Sequence, residues 1–371
     1  MVFGARGLGL TLCVLAVLPA CSGAPGGEGE ALVAEVPDTL SREGRLRVNL
    51  GILAADSLEG RLTGTRGAAM AADFIARELE SYGLEPAFAG SFLQPVPLLR
   101  LRREGGREQL TLGTDETLAE LELTQGLGSL DRADDVNVGA VIRGLDPERE
   151  NEVVIVGAHF DHMGIRAPRP GTPGEAEGDS VYNGADDDAA GVAAVLEVAR
   201  AFALEGPGDR TVLFLLTTGE EVGALGTRWY IRNPAFPLEQ TVADLQVEMI
   251  GRPDSLAGGT GRAWLTGYER STLGETLAAQ GVPWVPDPRP DQRFFFRSDN
   301  TPFAYEGIPA HTVSSFGLHA DYHTPDDEVD RIDFAHMTSV VESLIRAVRI
   351  LATGDVPQWT EGGRPQDPGG E

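Results

Sequence analysis

A three-layer α/β sandwich, with helices on both faces of a central and mostly parallel mixed sheet, is the fold class this sequence predicts. Apolar runs of strand length at residues 136–142, 152–157, 211–217 and 245–250 alternate with segments of helical period. Val153 to Val156 are consecutively apolar, which suits a strand buried on both faces. The main polar clusters directly follow such runs, and in open α/β sheets active sites collect at the carboxyl ends of strands.

Residues 1–20 read as an export signal. Arg6 marks a short basic region, an apolar stretch runs from Gly7 to Leu18, and Pro19, Ala20 and Cys21 follow. That stretch is shorter than the roughly 20 residues needed to span a bilayer and suits the apolar region of a signal peptide. Leu18-Pro19-Ala20-Cys21 resembles a lipobox, which would put a lipid anchor on Cys21. The alternative is ordinary cleavage after Ala20. Either way the expectation is an exported protein, lipid-anchored to the cell envelope in the first case. Residues 21–44 would be tether and lead-in, rich in Gly and acidic side chains up to Glu30.

Along the rest of the chain, Ala71, Phe74, Ile75, Leu79 and Tyr82 share one face of a helix over residues 67–82, with Gly83 at C′. Residues 95–135 read as short strands and loops. A Gly/Pro-rich loop covers 163–183, a length that in a compact domain points to function. The next helix, over 189–204, carries Val192, Val195, Leu196, Ala199 and Ala203 on one face. The last, over 333–352, carries Met337, Val340, Val341, Leu344, Val348 and Leu351 and ends at Gly354. The Pro/Gly-rich residues 355–371 read as a disordered tail.

Composition bounds the chemistry. The chain has 371 residues, 42% hydrophobic and 23% charged, with a formal net charge of -27. So acidic a surface repels phosphate backbones, and nucleic acid is excluded as a partner. The two cysteines, Cys13 and Cys21, lie in or beside the signal. A metal in the mature domain would therefore be held by His and carboxylates rather than thiolates.

Four clusters carry such groups: Gly157-Ala158-His159-Phe160-Asp161-His162; Asn183-Gly184-Ala185-Asp186-Asp187-Asp188; Thr218-Gly219-Glu220-Glu221; and His319-Ala320-Asp321-Tyr322-His323. Imidazole and carboxylate suit Zn²⁺. One carboxylate can bridge two ions, and a spare carboxylate beside them can move a proton. The pair Glu220-Glu221 offers one base and one ligand. No HExxH helix and no G-x-S-x-G elbow occurs. Taken singly, such clusters are more often a packing His, an Asp-rich turn or helix cap, or surface charge, and only the ordered set at strand ends changes that.

As an ordered set, the clusters resemble the co-catalytic zinc exopeptidases, which include bacterial leucyl aminopeptidases, glutamate carboxypeptidase and glutaminyl cyclases. Leu58-Glu59-Gly60-Arg61 and the stretch from Asn137 to Gly144 resemble the family's lead-in. The resemblance implies one peptidase domain over 45–354, and the segment 95–135 is too short for the protease-associated insert of larger relatives. It implies two Zn²⁺ ions per subunit. His159 would bind one, with Asp161 orienting its imidazole. Asp187 would bridge, through a cis bond to Asp188. Glu220 would be the general base, Glu221 and His323 ligands of the other ion, and Tyr322 the phenol that stabilises the oxyanion. Glu248, in Gln246-Val247-Glu248-Met249-Ile250-Gly251-Arg252, stands where the family has Asp. That ligand is one methylene longer, at a position that in aminopeptidases also helps to hold the substrate's amine.

Phe296, Arg297, Ser298, Asp299 and Asn300 are expected to line the specificity pocket, with Asn300 where relatives often have His. His162 and His319 match no ligand position and are expected beside the ligands or at the pocket rim. His311 and His336 are expected to be structural. The function implied is an aminopeptidase acting on peptides with a free N-terminus. Alternatives are a carboxypeptidase-like or other amide hydrolase, with Arg252, Arg293 and Arg297 as candidate carboxylate binders, or a non-catalytic binding lipoprotein.

Overall fold

The structure is a computed structural model that describes residues 36–37, 39–103, 108–122, 127–167 and 178–366. The signal segment, Cys21 and the Gly-rich tether lie outside them. Among the described residues no helix is long and apolar enough to cross a membrane.

The strands are β1 (Glu85–Pro86), β2 (Leu93–Val96), β3 (Leu98–Arg103), β4 (Glu108–Leu112), β5 (Leu127–Arg132), β6 (Asp135–Ile142), β7 (Val153–His159), β8 (Gly164–Ile165), β9 (Val181–Tyr182), β10 (Thr211–Thr217), β11 (Thr241–Val247), β12 (Ala263–Leu265), β13 (Trp284–Pro286) and β14 (Ala310–Ser314). The helices are α1 (Arg42–Leu53), α2 (Arg66–Ser81), α3 (Asp115–Glu122), α4 (Ala190–Glu205), α5 (Leu225–Arg232), α6 (Leu273–Ala279), α7 (Asn300–Glu306) and α8 (Phe334–Thr353). The main sheet runs β1-β6-β10-β7-β11-β14-β12-β13, with β2 also paired to β6. Its centre, β10-β7-β11-β14, is parallel, and β6 and β12 flank that centre antiparallel.

Every residue of β7 and β10 is buried, as the unbroken apolar runs require of strands covered on both faces. Val153 and Ile155 of β7 and Leu213 and Leu215 of β10 join Tyr230, Phe303 and Ile308, which places α5 and α7 on that face. The intervening residues point the opposite way, toward α4, which packs with α1, α2 and α8. Val192 to Val195 are all buried because α4 is enclosed by sheet and helices alike. A bidentate pair, Arg45 to Glu197 at 2.6 and 2.7 Å, joins α1 to α4 in that layer.

Strands β3, β4 and β5 build a small sheet of their own, in the order β4-β3-β5, that packs through Leu98 and Leu112 against Leu225, with Val222 and Trp229 at its margin, and helix α3 stands where only strands and loops are expected from the sequence. Strand β11 stops at Val247 rather than continuing to Ile250. Met249 turns into the left-handed region at φ 52, and its amide donates to Asp188 Oδ1 at 3.1 Å instead of to the sheet. The carboxyl-terminal stretch also departs from expectation. Residues 355–366 are ordered against the domain: Trp359 donates to Gly307 O at 2.8 Å, and Arg364 donates to Tyr305 O at 2.8 Å. A Pro/Gly-rich composition argues against a packed core, but one half-buried Trp and a few backbone bonds suffice to dock a short segment.

Candidate metal centre and its pocket

Three adjacent parallel strands bring the clusters to one end of the sheet. Thr217 of β10 pairs with His159 of β7, and Gln246 of β11 pairs with Gly157. Glu220 and Glu221 therefore leave β10 on one side of His159, and Glu248 leaves β11 on the other. His159 Nδ1 lies 3.1 Å from the Asp161 carbonyl and 3.6 Å from its carboxylate, so Nε2 carries the free lone pair. The Asp161 carboxylate accepts from Thr63 Oγ1 at 2.8 Å and from the Glu220 amide at 3.1 Å. Asp161 thereby sets the base through its carboxylate and the ligand through its carbonyl.

Asp187 sits at the entrance to α4. Its amide and that of Asp186 donate to the Asp327 carboxylate at 3.0 and 3.1 Å. The Asp187–Asp188 bond is cis. Asp188 Oδ1 accepts from Gly191 at 2.9 Å. A Cβ on Gly191 would lie 2.3 Å from Asp188 Oδ2 and 2.4 Å from Val247 O, so only glycine permits this turn.

The donors converge as metal ligands do. Asp187 Oδ1 is 3.3 Å from His159 Nε2, and its Oδ2 is 3.1 Å from His323 Nε2, which in turn is 3.3 Å from Glu221 Oε2. Two ligands on one tetrahedral zinc stand about 3.3 Å apart. Donor atoms of His159, Asp187 and Glu248 lie within 4.8 Å of one another, as do those of His162, Asp187 and Glu221. His159 Nε2 and Glu221 Oε1 are buried without a hydrogen bond of good angle, a costly arrangement unless a cation takes their lone pairs. The residues present therefore fit zinc. Glu248 reaches the His159 group despite its extra methylene.

His162 is the group that spacing did not single out. It is fully buried, its Nδ1 is 2.8 Å from Glu221 Oε1, and its ring meets His323 edge-on at 5.7 Å. His319 Nε2 bonds Asp186 Oδ2 at 3.1 Å. Arg61, from the lead-in motif, is fully buried and donates to the carbonyls of Phe160, Asn183 and Gly184, which tie the His159 and Asp187 turns together. His311 and His336 are buried and hydrogen-bonded away from the centre.

The electrostatics suit acid–base work. Burial, with Glu248 and Glu221 nearby, pushes Glu220 well above the ordinary carboxylate range. Burial likewise raises Glu248 to about 7. Burial would lower His323, but hydrogen bonds to Asp187 and Glu221 reverse this and hold it at about 10. Burial, together with the carboxylates of Asp187, Glu248 and Glu221, keeps the Tyr322 phenol protonated.

A pocket opens beside these groups, walled by Trp264, Phe294, Phe316 and Tyr322, with Arg297 and Ser298 in its lining. Of the expected pocket residues, Arg297 and Ser298 are there, and Phe296, Asp299 and Asn300 are not. Residues Phe294–Phe296 form one 3₁₀ turn, which sends three consecutive side chains in three directions. Phe294 enters the pocket and Phe295 enters the core, while Phe296 lies under Arg270 and Arg293. Asp299 turns inward to accept from Thr217 Oγ1 at 2.5 Å. Asn300 donates to Phe295 O at 3.0 Å and accepts from Thr312 at 2.9 Å. Both are buried braces behind the pocket.

Residues 137–348, which contain the four clusters and Glu248, match peptidase family M28. The chain belongs to that family. Among curated proteins, this M28 peptidase is 26% identical over 206 residues to a probable leucine aminopeptidase of Arthroderma otae, covering 53% of each chain. It is 26% identical over 218 residues to leucine aminopeptidase 1 of Trichophyton rubrum, covering 56% of each. The chain thus spans about half the length of the curated relatives it matches. Among solved structures it resembles an aminopeptidase from Aneurinibacillus sp. strain AM-1, with a TM-score of 0.58 at 15% identity, over 88% of this chain and 96% of that one. It also resembles a glutaminyl cyclase from Porphyromonas gingivalis, with a TM-score of 0.57 at 18% identity, over 82% and 97%. At these identities the structures share the fold. The lead-in with Arg61 and Thr63 lies outside the matched residues yet contacts the centre directly.

Proposed function

We propose that this M28 peptidase is a two-zinc aminopeptidase that removes the N-terminal residue of peptides. The observation that carries the reading is the division of the Asp187 carboxylate, one oxygen 3.3 Å from His159 and the other 3.1 Å from His323. A carboxylate shared by two imidazoles on opposite sides is the arrangement of a bridging ligand. His159 and Glu248 would hold one ion, Glu221 and His323 the other. When bound, the ions lower the pKa of a water and polarise the scissile carbonyl.

The side chains supply the rest. Glu220 takes the proton of the attacking water and passes it to the departing amine, a task helped by a proton affinity that burial raises above the ordinary carboxylate range. The Tyr322 hydroxyl, at the pocket edge beside His323, donates to the carbonyl oxygen as charge develops there. Glu220 and Glu248, both in the pocket lining, offer carboxyl oxygens that accept from the substrate's ammonium group. The aromatic walls receive the N-terminal side chain.

The carboxypeptidase reading needs free arginines. Arg252 is committed to Asp321 and Asp327, and Arg293 stands over Phe296. Arg297 alone of the three lines the pocket, in contact with the Tyr322 hydroxyl at 3.5 Å. The non-catalytic reading expects broken ligand sets, and the convergence of His159, Asp187 and Glu248, and of His162, Asp187 and Glu221, within 4.8 Å speaks against it. Export with a lipid on Cys21 accompanies the proposal, and a Cys21→Ser variant that stays in the membrane fraction would remove it.

The test is to strip the protein of metal, reload it with zinc, and compare aminoacyl-nitroanilides with the same compounds blocked at the amine. Zinc-dependent release from free amines alone is the expected result. With two zinc ions bound, release from none would move the assignment to another amide hydrolase. Failure to bind zinc would support the binding-protein reading.

A further inference from the structure

The two imidazoles proposed as ligands are held in different ways. His159 ends a buried strand, and its Nδ1 is fixed on the Asp161 carbonyl at 3.1 Å. His323 lies in a loop with its side chain 29% exposed, and among the described residues no hydrogen bond orients its Nδ1. Its backbone occupies the left-handed region at φ 56, which a non-glycine residue holds only under outside restraint. Part of that restraint is the stack of Tyr322 on its ring at 3.8 Å.

Bonds from the Thr324 amide and Oγ1 to the Asp321 carbonyl, at 3.1 and 2.8 Å, add to it, and Arg252 ties the loop to the rest of the centre. Its Nη1 donates to Asp321 Oδ2 at 2.6 Å, two residues ahead of His323, and its Nη2 donates to Asp327 Oδ1 at 3.1 Å. Asp327 also caps the amides of Asp186 and Asp187. Arg252 Nε lies 4.0 Å from Asp186 Oδ2. One guanidinium, its side chain 14% exposed, thus joins the Asp187 turn, the segment after Glu248 and the His323 loop. The planar fork of Arg allows this where a point charge would not.

We propose that Arg252 is a positioning residue that holds His323, through Asp321, in the half of the centre shared with Glu221. The His323 half then depends on this tie and the His159 half does not. The proposal rests on the two-ion reading above.

Zinc stoichiometry and affinity, measured by elemental analysis and chelator competition at buffered free zinc, test it without reference to activity. Wild type, Arg252→Gln, Asp321→Asn, the double variant and Arg252→Lys are compared. At a free zinc level that just saturates wild type with two ions, Arg252→Gln and Asp321→Asn should each retain one. The second ion should bind about 10–100-fold more weakly, as when an outer-shell partner of a metal ligand is removed. The double variant should be no worse than either single variant, and Arg252→Lys should recover only part of the loss. Should Arg252→Gln fail to fold, Asp321→Asn carries the test, since it removes only a partly exposed carboxylate charge. Two ions bound by both single variants with wild-type affinity would overturn the proposal and leave His162 as the imidazole that completes the second half. Parallel loss of both ions would overturn it as well. Fewer than two ions on the wild type would instead overturn the two-ion reading itself.

Discussion

The carboxylate of Asp161 accepts the backbone amide of Glu220 over 3.1 Å. Since the Asp161 carbonyl also faces His159 Nδ1 at 3.1 Å, one residue sets both the first metal ligand and the proposed base. Asp161→Ala keeps that carbonyl and removes only the carboxylate, 3.6 Å from Nδ1, so turnover of the fully loaded enzyme should fall while zinc affinity drops by less than the roughly 10–100-fold that follows full loss of an outer-shell partner. Wild-type turnover at saturating zinc would show that the bond to Glu220 has no catalytic consequence.

Glu220→Gln keeps the shape of the side chain and removes its basicity. Zinc content should be unchanged, and kcat should fall at least about 10²–10⁴-fold. In the wild type, activity should decline as the pH falls through the Glu220 pKa. Burial places that acid limb above the ordinary carboxylate value of 4.5. A pH–rate profile with no limb above 4.5, or a metallated Glu220→Gln of normal rate, would remove Glu220 from the mechanism.

Tyr322→Phe removes one donor to the developing oxyanion and preserves the stack on His323. Loss of such a donor costs about 10²–10³ in kcat, or roughly 3–4 kcal/mol. KM should change little. A rise in KM at constant kcat would make Tyr322 a substrate-binding residue instead.

Stability should respond to acid through His311. Its Nδ1 faces Thr266 O at 2.7 Å and its Nε2 faces Ser271 Oγ at 2.6 Å, and burial lowers its pKa to about 4. The unfolded chain binds this proton near pH 6.5. Between about 6.5 and 4 the unfolded state is protonated and the native state is not, so stability falls as the pH falls, by up to about 3 kcal/mol. Denaturant midpoints of wild type and His311→Gln should differ at pH 7 and converge toward pH 4. A constant difference across that range would contradict the assignment.

Most of the proposed metal donors are legible in the sequence because they stand at or just past a strand end, His159 on β7, Glu221 after β10 and Glu248 after β11, whereas His323 lies in a loop well past β14. Strand runs in β7 and β10 are apolar enough to mark that end to within two residues. Glu248 is legible as a departure from the family's Asp because its flanking motif is otherwise intact. His162 is different. Its type and place suggest a neighbour of the ligands, and only the fold shows its Nδ1 2.8 Å from Glu221.

By itself, then, the sequence determined the alternation of strands and helices, the oxygen and nitrogen donor set, and the strand ends at which His159, Glu221 and Glu248 stand. All three depend on residue type and short-range period. Tertiary structure alone decided which of three adjacent phenylalanines faces the pocket, that Asp299 and Asn300 turn inward, and that Trp359 docks the carboxyl-terminal stretch. It also decided that Arg252 spans 75 residues to reach Asp327. Direction within a 3₁₀ turn and contacts between distant segments depend on how whole elements pack, and no local pattern encodes that.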